Sequence, residues 1–223
     1  MIDSSILQGK KAAYFTLGCK LNFAESSALG RELLARGHQK ASQSEVPDVC
    51  VVNTCSVTDA ADHKDRQAIN QLHRKYPNAI IIVTGCYAQL QPEQVSKIQG
   101  VDYVLGQEEK YSITQLVDEL CDSLEAQRIR VGKIREVEEF HGVHSGDDRT
   151  RCFIKVQDGC NYFCSYCTIP YARGKSRNPW ISEVVEDAKK ALQDGAKELI
   201  LTGVNIGDFG RSTGESFIEL LRA

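Results

Sequence analysis

Three cysteines lie within eight positions of the sequence, in the stretch DGCNYFCSYCTIPYARG at residues 158–174. They are Cys160, Cys164 and Cys167, in the spacing C-x3-C-x2-C. Cysteine thiolates are soft ligands that suit zinc or an iron–sulfur cluster. An iron–sulfur cluster held by only three protein thiolates keeps one iron open for a small ligand. The spacing therefore predicts either a zinc site that lacks a ligand or a cluster with one open iron.

The zinc alternative needs a fourth ligand, because structural zinc is almost always four-coordinate. Cys164 and Cys167 form half of such a site, and Cys160 adds a third ligand. The residues that could complete it are Cys152, His141 and His144. None of these three has the paired spacing that is usual for zinc ligands, so the cluster is the favoured interpretation.

The cysteine count bears on the cellular compartment. The chain has 223 residues and nine cysteines, and its first fifteen residues, MIDSSILQGKKAAYF, contain no apolar segment typical of a secretion signal. An odd number of cysteines without such a signal argues against a disulfide framework. No apolar stretch is long enough to span a membrane. We therefore expect a cytoplasmic protein with reduced thiols, and a net charge of −3 indicates no strong attraction to polyanions.

A second group of cysteines follows predicted strands. Cys19 lies in TLGCKLN, Cys55 in NTCSVTD and Cys86 in TGCYAQ, each just past the carboxyl end of a strand. Ligands of open α/β sheets bind at that edge, so we expect the three thiols to converge. The alternative is that they are buried packing residues, a common role for free cysteine. The other cysteines lie inside predicted elements and are assigned to packing: Cys50, Cys121 and Cys152.

Strand and helix patterns alternate in the first half of the chain. Strands are predicted at KAAYFTL, DVCVVNT, AIIIVTG and DYVLG, and helices at NFAESSALGRELLARG, DAADHKDRQAINQLHRKY, PEQVSKI and SITQLVDELCDSL. Asn22 and Glu25 have the spacing of a capping box at the start of the first helix, and Gly37 ends it. The alternation predicts an α/β fold with an open parallel sheet over residues 10–122.

The second half repeats the alternation only briefly. Residues 123–145 are predicted as a connector, with a short strand at RIRVGKI and a solvated linker after Glu138. Residues 146–223 contain the strands RCFIKV and ELILTGV, the helix SEVVEDAKKALQDG with Ser182 as its cap, and a helix that begins at SFIELLRA. One strand–helix–strand unit cannot bury both faces of its sheet. We therefore expect the truncated start of a longer β/α protein.

Residues 152–171, CFIKVQDGCNYFCSYCTIPY, resemble the radical S-adenosylmethionine enzymes, including an aromatic residue, Tyr166, before the last cysteine. The resemblance implies that these residues begin a radical SAM β/α barrel. It also implies that Cys160, Cys164 and Cys167 hold a 4Fe-4S cluster whose open iron binds S-adenosylmethionine. Reduction of the cofactor through the cluster then yields a 5′-deoxyadenosyl radical, which is chemistry that belongs to the cofactors.

Both halves together resemble the methylthiotransferases, through TLGCKLN, NTCSVTDAADHKDRQ, TGCYAQ and VQDGCNYFCSYCTIPYARGKSR. The resemblance runs from about residue 11 to residue 210 and implies that Cys19, Cys55 and Cys86 hold a second, auxiliary 4Fe-4S cluster. GCKLN and the residues after Cys55 look most like the branch that adds a methylthio group at C2 of N6-threonylcarbamoyladenosine, at position 37 of tRNA. The alternatives are the isopentenyladenosine branch, the branch that modifies a ribosomal-protein aspartate, and a metal scaffold without catalysis.

Several other residues adjoin these motifs. Asn22 and Thr54 either orient the loops of the auxiliary site or act only as cap and turn residues. Gly203 and Asn205, in TGVNIG, either contact the amino group of S-adenosylmethionine or form a plain turn. Arg173, Lys175 and Arg177 follow the cysteine loop, and they either contact RNA phosphates or form a solvated face.

The resemblance also implies partners. These are S-adenosylmethionine, tRNA bound mainly through parts that this chain does not contain, and an electron donor such as flavodoxin or ferredoxin, with no membrane involved. Because the family adds the rest of the barrel and a further RNA-binding domain, we expect the 223 residues to be inactive alone.

Overall fold

The computed structural model describes residues 10–42, 44–122, 127–146 and 150–223, without the side chains of residues 121 and 122. The chain divides into two compact units. The first unit contains the described residues up to Gly18 together with Leu29–Gly132, and the second contains Cys19–Ala28 together with Lys133–Ala223. The division falls inside the first helix, α1 (Lys20–Ala35).

The first unit contains a parallel sheet, as the sequence predicted. Its six strands within the described residues are β1 (Lys11–Thr16), β2 (Gln39–Lys40), β3 (Val49–Thr54), β4 (Ile80–Gly85), β5 (Tyr103–Leu105) and β6 (Ile129–Arg130). Their order is β2-β1-β3-β4-β5-β6, and every neighbouring pair is parallel. β3 is buried along its whole length, which fits a continuous apolar strand in a sheet covered on both faces.

Within the described residues, four further α-helices of the first unit connect the strands: α2 (Asp59–Lys75), α3 (Cys86–Leu90), α4 (Pro92–Ser96) and α5 (Ile113–Asp122). The sequence explains the start of α2 directly. The hydroxyl of Thr58 accepts a hydrogen bond from the Ala61 backbone N–H at 3.2 Å, which caps the helix. Acidic residues in its first turn and basic residues in its last turn complement the helix dipole.

The sheet of the first unit has an apolar core on each face. Cys50 and Val52 of β3 pack on one face, with Ile69 and Leu72 of α2 among their neighbours. The alternate residues of β3 pack on the other face, in a cluster that holds Val49, Val51, Leu29, Leu33, Ile113 and Leu116. Fully burying one such aliphatic side chain contributes about 1.5–3 kcal/mol. Successive side chains of β3 thus pack on opposite faces of the sheet, and their apolar contacts stabilise the helices on both faces.

The second unit contains a smaller parallel sheet of two strands, β7 (Arg151–Lys155) and β8 (Glu198–Thr202). Its described helices, apart from the first half of α1, are α6 (Ile169–Arg173), α7 (Ile181–Gln193) and α8 (Phe217–Arg222). One apolar cluster joins these elements, with Ile154, Val184 and Leu220 among its members. This arrangement agrees with the predicted beginning of a β/α barrel.

Two local predictions are wrong. Ser182 does not cap α7, because the helix begins at Ile181 and the backbone N–H of Trp180 donates to the Glu183 carboxylate at 2.7 Å. The chain after Glu138 is not a solvated linker throughout. Residues 143–145 are buried beside β7, and the Ser145 backbone N–H donates to the Phe153 carbonyl at 2.9 Å.

Among the residues that the structure describes, no helix has both the length and the apolar character that crossing a membrane requires.

Candidate metal centres

The C-x3-C-x2-C loop begins just past the carboxyl end of β7. Cys160 and Cys167 are half-buried, and Cys164 is exposed. The backbone N–H of Cys167 donates to the Cys164 carbonyl at 2.9 Å, so these two cysteines flank a tight turn. The three thiols are free of disulfides. Short spacing and exposure together leave three sulfurs available as ligands on one loop.

Backbone pairing fixes the base of this loop. Asp158 and Arg177 exchange two backbone hydrogen bonds of 2.9 Å, and the Cys160 N–H donates to the Gly174 carbonyl at 3.0 Å. Gly159 has φ of +69°, and a Cβ at this position would lie 1.9 Å from the Lys175 carbonyl oxygen. A glycine is therefore required immediately before the first cysteine, because any side chain would separate the two paired segments.

Phe163, immediately before Cys164, has φ of +48°, which is uncommon for a residue other than glycine. Its ring packs edge-on against Tyr171, with a centroid distance of 5.6 Å. The Arg135 guanidinium lies 4.9 Å from the ring centroid on its face. These contacts hold a strained backbone conformation inside the cysteine loop, a feature that clusters at functional sites.

Gly203 and Asn205 lie beside the same loop. Both follow β8, whose Thr202 pairs with Lys155 at the end of β7. The backbone N–H of Asn205 donates to the Gln157 side-chain carbonyl at 2.8 Å, and a Cβ on Gly203 would lie 3.0 Å from the same side chain. Gln157 is fully buried and was missed by the sequence analysis. It links the two strand ends, and a contact of Gly203 or Asn205 with a cofactor stays a prediction.

Cys55 and Cys86 lie at one edge of the six-stranded sheet. They follow Thr54 and Gly85, which are partners in the parallel register of β3 and β4. Gly85 has φ of +97°, and an added Cβ would lie 2.3 Å from the Thr54 carbonyl oxygen. The glycine therefore permits the close approach of the two strand ends, and both cysteines leave the sheet at its carboxyl edge.

Polar side chains hold these two loops. The Cys55 backbone N–H donates to the Asp65 carboxylate at 2.8 Å, and the Gln107 side-chain amide donates to Cys86 Sγ at 3.3 Å. Burial raises the pKa of Asp65 to about 7, and the nearby carboxylate of Asp62 contributes to this rise. The predicted loop residue Thr54 is buried and donates its hydroxyl hydrogen to the Thr84 carbonyl. It therefore orients the end of β3.

Cys19 is exposed and stands at the start of the second unit, two residues after Leu17, whose N–H donates to the Asn53 carbonyl at 2.8 Å. The Cys19 thiol lies 3.6 Å from the Asn22 side-chain oxygen, to which it donates. The convergence of Cys19 with Cys55 and Cys86 stays a prediction.

The predicted capping box at Asn22 and Glu25 is wrong. Helix α1 begins at Lys20, so both residues lie inside it, and both are fully buried. Asn22 accepts a hydrogen bond from Arg173 at 2.6 Å, and Glu25 accepts one from the same guanidinium at 3.0 Å. The spacing of three residues reflects a shared partner distant in sequence instead of a helix cap.

The basic residues after the cysteine loop also differ from expectation. Arg173 and Arg177 are buried and paired with carboxylates, so they are neither a solvated face nor contacts for RNA phosphates, whereas Lys175 is exposed. We call the following five residues the buried charge cluster: Glu25, Lys155, Asp158, Arg173 and Arg177. Their side chains are each at most 9% exposed.

The assignment of cysteines to packing is confirmed for two of the three residues. Cys50 and Cys152 are buried in β3 and β7, and the Cys152 thiol donates to the Ser145 carbonyl at 2.8 Å. Cys121 lies outside the described side chains. The proposed fourth zinc ligand Cys152 is therefore held in the core of the second unit, where its sulfur is occupied.

The donor set fits the cofactors that the resemblance implies. Three accessible thiols on one loop can hold a 4Fe-4S cluster and leave an iron open. Cys55 and Cys86, at one sheet edge, offer two thiols for a second cluster, with Cys19 as the third candidate. The backbone pairing at the base of the C-x3-C-x2-C loop and the left-handed backbone conformation of Phe163 give this loop a defined geometry.

Two family descriptions match the chain. "Uncharacterized protein family UPF0004" matches residues 11–106, and "Radical SAM superfamily" matches residues 154–221. Residues 107–153 lie between the two matches, a stretch that includes the predicted connector of residues 123–145. The first match covers all three cysteines that follow strands of the larger sheet, and the second covers the C-x3-C-x2-C loop.

Curated relatives extend over both matches. "Threonylcarbamoyladenosine tRNA methylthiotransferase MtaB" of Aquifex aeolicus (strain VF5) is 38% identical over 95% of this chain and 52% of its own length. "tRNA-2-methylthio-N(6)-dimethylallyladenosine synthase" of Fusobacterium nucleatum is 30% identical, over 95% of this chain and 50% of its own. "Ribosomal protein uS12 methylthiotransferase RimO" of Chloroflexus aurantiacus is 31% identical, over 89% of this chain and 47% of its own length.

The fold and the cysteine loop thus define a Radical SAM protein with an additional α/β unit before the radical SAM region. The chain belongs to the radical SAM methylthiotransferase family. It spans about half the length of the curated relatives it matches.

Proposed function

We propose that the protein to which this chain belongs is a tRNA methylthiotransferase that acts at C2 of N6-threonylcarbamoyladenosine at position 37. The observation that carries the proposal is the pair of cysteine sets, each following strands at the carboxyl edge of a parallel sheet. The substrate branch is supported by the higher identity to the relative named for threonylcarbamoyladenosine, 38% against 30% and 31%.

Two 4Fe-4S clusters and S-adenosylmethionine would supply the radical and the sulfur for this reaction. Cys160, Cys164 and Cys167 would hold the radical cluster, and Cys19, Cys55 and Cys86 the auxiliary cluster. Gln157 fixes the strand ends beside Gly203 and Asn205, where the amino group of S-adenosylmethionine would bind. Asp65 and Gln107 hold the Cys55 and Cys86 loops in place.

The partners follow from the same proposal. An electron donor such as flavodoxin or ferredoxin would reduce the radical cluster, and tRNA would be the substrate, in the cytoplasm. We also propose the limits of the domains. The N-terminal α/β domain spans residues 10–122, the connector spans residues 123–145, and the partial radical SAM domain spans residues 146–223. We propose that residues 1–223 alone are inactive, because the relatives are about twice as long.

Cluster content tests the metal assignment. Anaerobically reconstituted chain should contain two 4Fe-4S clusters, and the triple Cys160/Cys164/Cys167→Ala variant should contain one. Iron and acid-labile sulfide analysis measures both. If the triple variant keeps the full iron and sulfide load, the division of the six thiols is wrong. Zinc without sulfide would favour the alternative of a metal scaffold without catalysis.

Nucleoside mass spectrometry tests the substrate branch. A strain that lacks the full gene should lose the methylthio derivative of N6-threonylcarbamoyladenosine from its tRNA. Loss of methylthiolated isopentenyladenosine, or of methylthio-aspartate in the ribosomal protein, would instead support one of the other two branches. A plasmid copy of the gene should restore the lost modification.

A further inference from the structure

Gln107 approaches the sulfur of Cys86 from the neighbouring strand end. Cys86 directly follows β4, and Gln107 lies two residues past the end of β5, which pairs in parallel with β4. The side-chain amide of Gln107 donates a hydrogen bond to Cys86 Sγ at 3.3 Å. Gln107 is only 4% exposed, and both residues belong to the first unit. The contact is therefore a buried one, made at the carboxyl edge of a single sheet.

The sulfur of Cys86 is the acceptor in this hydrogen bond. The contact therefore does not depend on the proton of the thiol. A cysteine that binds a metal does so as a thiolate, without that proton. Hydrogen bonds to an ionised acceptor are stronger than those between neutral groups. The bond from Gln107 should therefore persist and strengthen when Cys86 becomes a ligand.

Lys110 determines which end of the Gln107 amide faces the sulfur. Its Nζ donates to Gln107 Oε1. An ammonium group has three donors and no acceptor, so it pairs with the amide oxygen, and the NH2 group is left to face Cys86. Lys110 is 1% exposed, so little water competes for the amide oxygen. Because hydrogen bonds in a chain polarise one another, donation from Lys110 makes the Gln107 N–H a better donor.

Backbone contacts hold both residues in place. The backbone N–H of Gln107 donates to Gln89 Oε1 at 2.8 Å, and Gln89 belongs to α3, the helix that begins at Cys86. The backbone N–H of Lys110 donates to the Gly106 carbonyl at 3.2 Å. Gln107 is thus fixed relative to the Cys86 helix through its backbone as well as through its side chain.

We propose that Gln107 and Lys110 are positioning residues that raise the reduction potential of the auxiliary cluster through the sulfur of Cys86. Hydrogen-bond donors to a ligand sulfur stabilise the reduced, more negative cluster. Lys110 acts through Gln107, by orienting and polarising its amide. The inference rests on the proposed function, because Cys86 is a cluster ligand only within that function. All three residues lie in the first unit.

The experiment uses the Cys160/Cys164/Cys167→Ala background, which should hold only the auxiliary cluster after anaerobic reconstitution. Iron and acid-labile sulfide analysis establishes this first. If the background holds no cluster, the proposed function fails and this inference fails with it. If the cluster is present, its midpoint potential tests the inference alone. Redox titration followed by electron paramagnetic resonance measures that potential.

The decisive variant is Gln107→Glu. It keeps the shape of the side chain and an acceptor for Lys110, but it replaces the N–H that faces Cys86 with an oxygen. At a fixed potential the ratio of reduced to oxidised cluster should fall at least tenfold, which lowers the midpoint potential by about 59 mV for one electron. Gln94→Glu is the matched control, because it adds the same charge in the same unit at an exposed residue that accepts from Arg66 at 2.8 Å.

Lys110→Met should lower the potential in the same direction by a smaller amount, because Gln107 keeps its N–H and loses the donor that orients it. Lys97→Met, at an exposed lysine of the same unit, is its control and should leave the potential unchanged. An unchanged potential in Gln107→Glu would overturn the proposal, and so would an equal shift in Gln94→Glu. If Gln107→Glu does not hold a cluster, the difference between Lys110→Met and Lys97→Met decides.

Discussion

The two parallel sheets of this protein are stabilised in different ways. The six-stranded sheet of the first unit has an apolar cluster on each face. The two-stranded sheet of the second unit has an apolar cluster and, in addition, the buried charge cluster, whose five side chains neutralise one another in part. The first arrangement is supported by many similar contacts, and the second depends on a few specific partners.

This difference predicts different responses to mutation. Apolar burial is roughly proportional to area, so the loss of one side chain removes only its own share and leaves a cavity. A buried charge that loses its partner remains in a medium of low polarity and costs more than the lost contact itself. The second unit should therefore be the more sensitive to a single isosteric change, although it contains fewer strands.

The largest effect is expected from Glu25→Gln. This change keeps the shape of the side chain and leaves three cations facing one carboxylate, so we expect the second unit to lose about 3–5 kcal/mol of stability. Hydrogen exchange of the β7 and β8 amides measures the free energy of opening. Glu198→Gln, on an exposed carboxylate of the same unit, is the matched control. Equal exchange in Glu25→Gln and wild type would mean that the buried charge cluster contributes little.

A smaller effect is expected from Ile81→Ala in the first unit. Ile81 is fully buried in one of the two apolar clusters, so its truncation should cost about 2–5 kcal/mol, and Ile81→Val only about 0.5–1.5 kcal/mol. Exchange of the β3 and β4 amides checks this graded series, with Leu34→Ala, at a position 41% exposed, as the control. A cost as large for valine as for alanine would contradict the idea that this unit responds in proportion to lost area.

Gly85→Ala should cost about 1–3 kcal/mol, because its backbone conformation is nearly exclusive to glycine and the added Cβ would meet Thr54. Gly37→Ala is the control, since Gly37 also has positive φ, at +89°, but an added Cβ would find no atom within 4 Å. Thermal unfolding measures both, and we expect Gly85→Ala also to lower the iron content. A greater loss in Gly37→Ala would show that the close approach of the strand ends is unimportant.

The smallest effect is expected from the exposed pair Arg151–Glu198, which joins β7 and β8 with an N–O distance of 2.7 Å. Arg151→Ala should cost about 0.2–1 kcal/mol, and the difference from wild type should disappear at about 1 M salt because solvent ions screen the pair. Chemical denaturation with urea at two salt concentrations measures it. Salt should leave the cost of Glu25→Gln largely unchanged, and equal salt dependence would contradict the contrast between buried and exposed charges.

The sequence predicted the parts of the fold that local patterns control. Continuous apolar runs predicted β1, β3 and β4, and Gly37 marked the end of α1. The C-x3-C-x2-C loop was also predictable, because its three cysteines lie close together in the chain. Placement of Cys55 and Cys86 at one sheet edge followed from the rule that ligands bind past the carboxyl ends of parallel strands.

Contacts between distant residues were not predictable. Asn22 and Glu25 have the spacing of a helix cap, but their partner Arg173 is 151 and 148 positions away. Arg173 and Arg177 look like a solvated face, yet tertiary packing buries them beside carboxylates. Residues 143–145 carry no strand pattern of their own, yet their backbone forms hydrogen bonds with β7. Sequence alone therefore determined the spacing of the cysteines and the order of elements, since these depend on neighbouring residues. Only the tertiary structure decided which charges are buried together, because that depends on the whole folded chain.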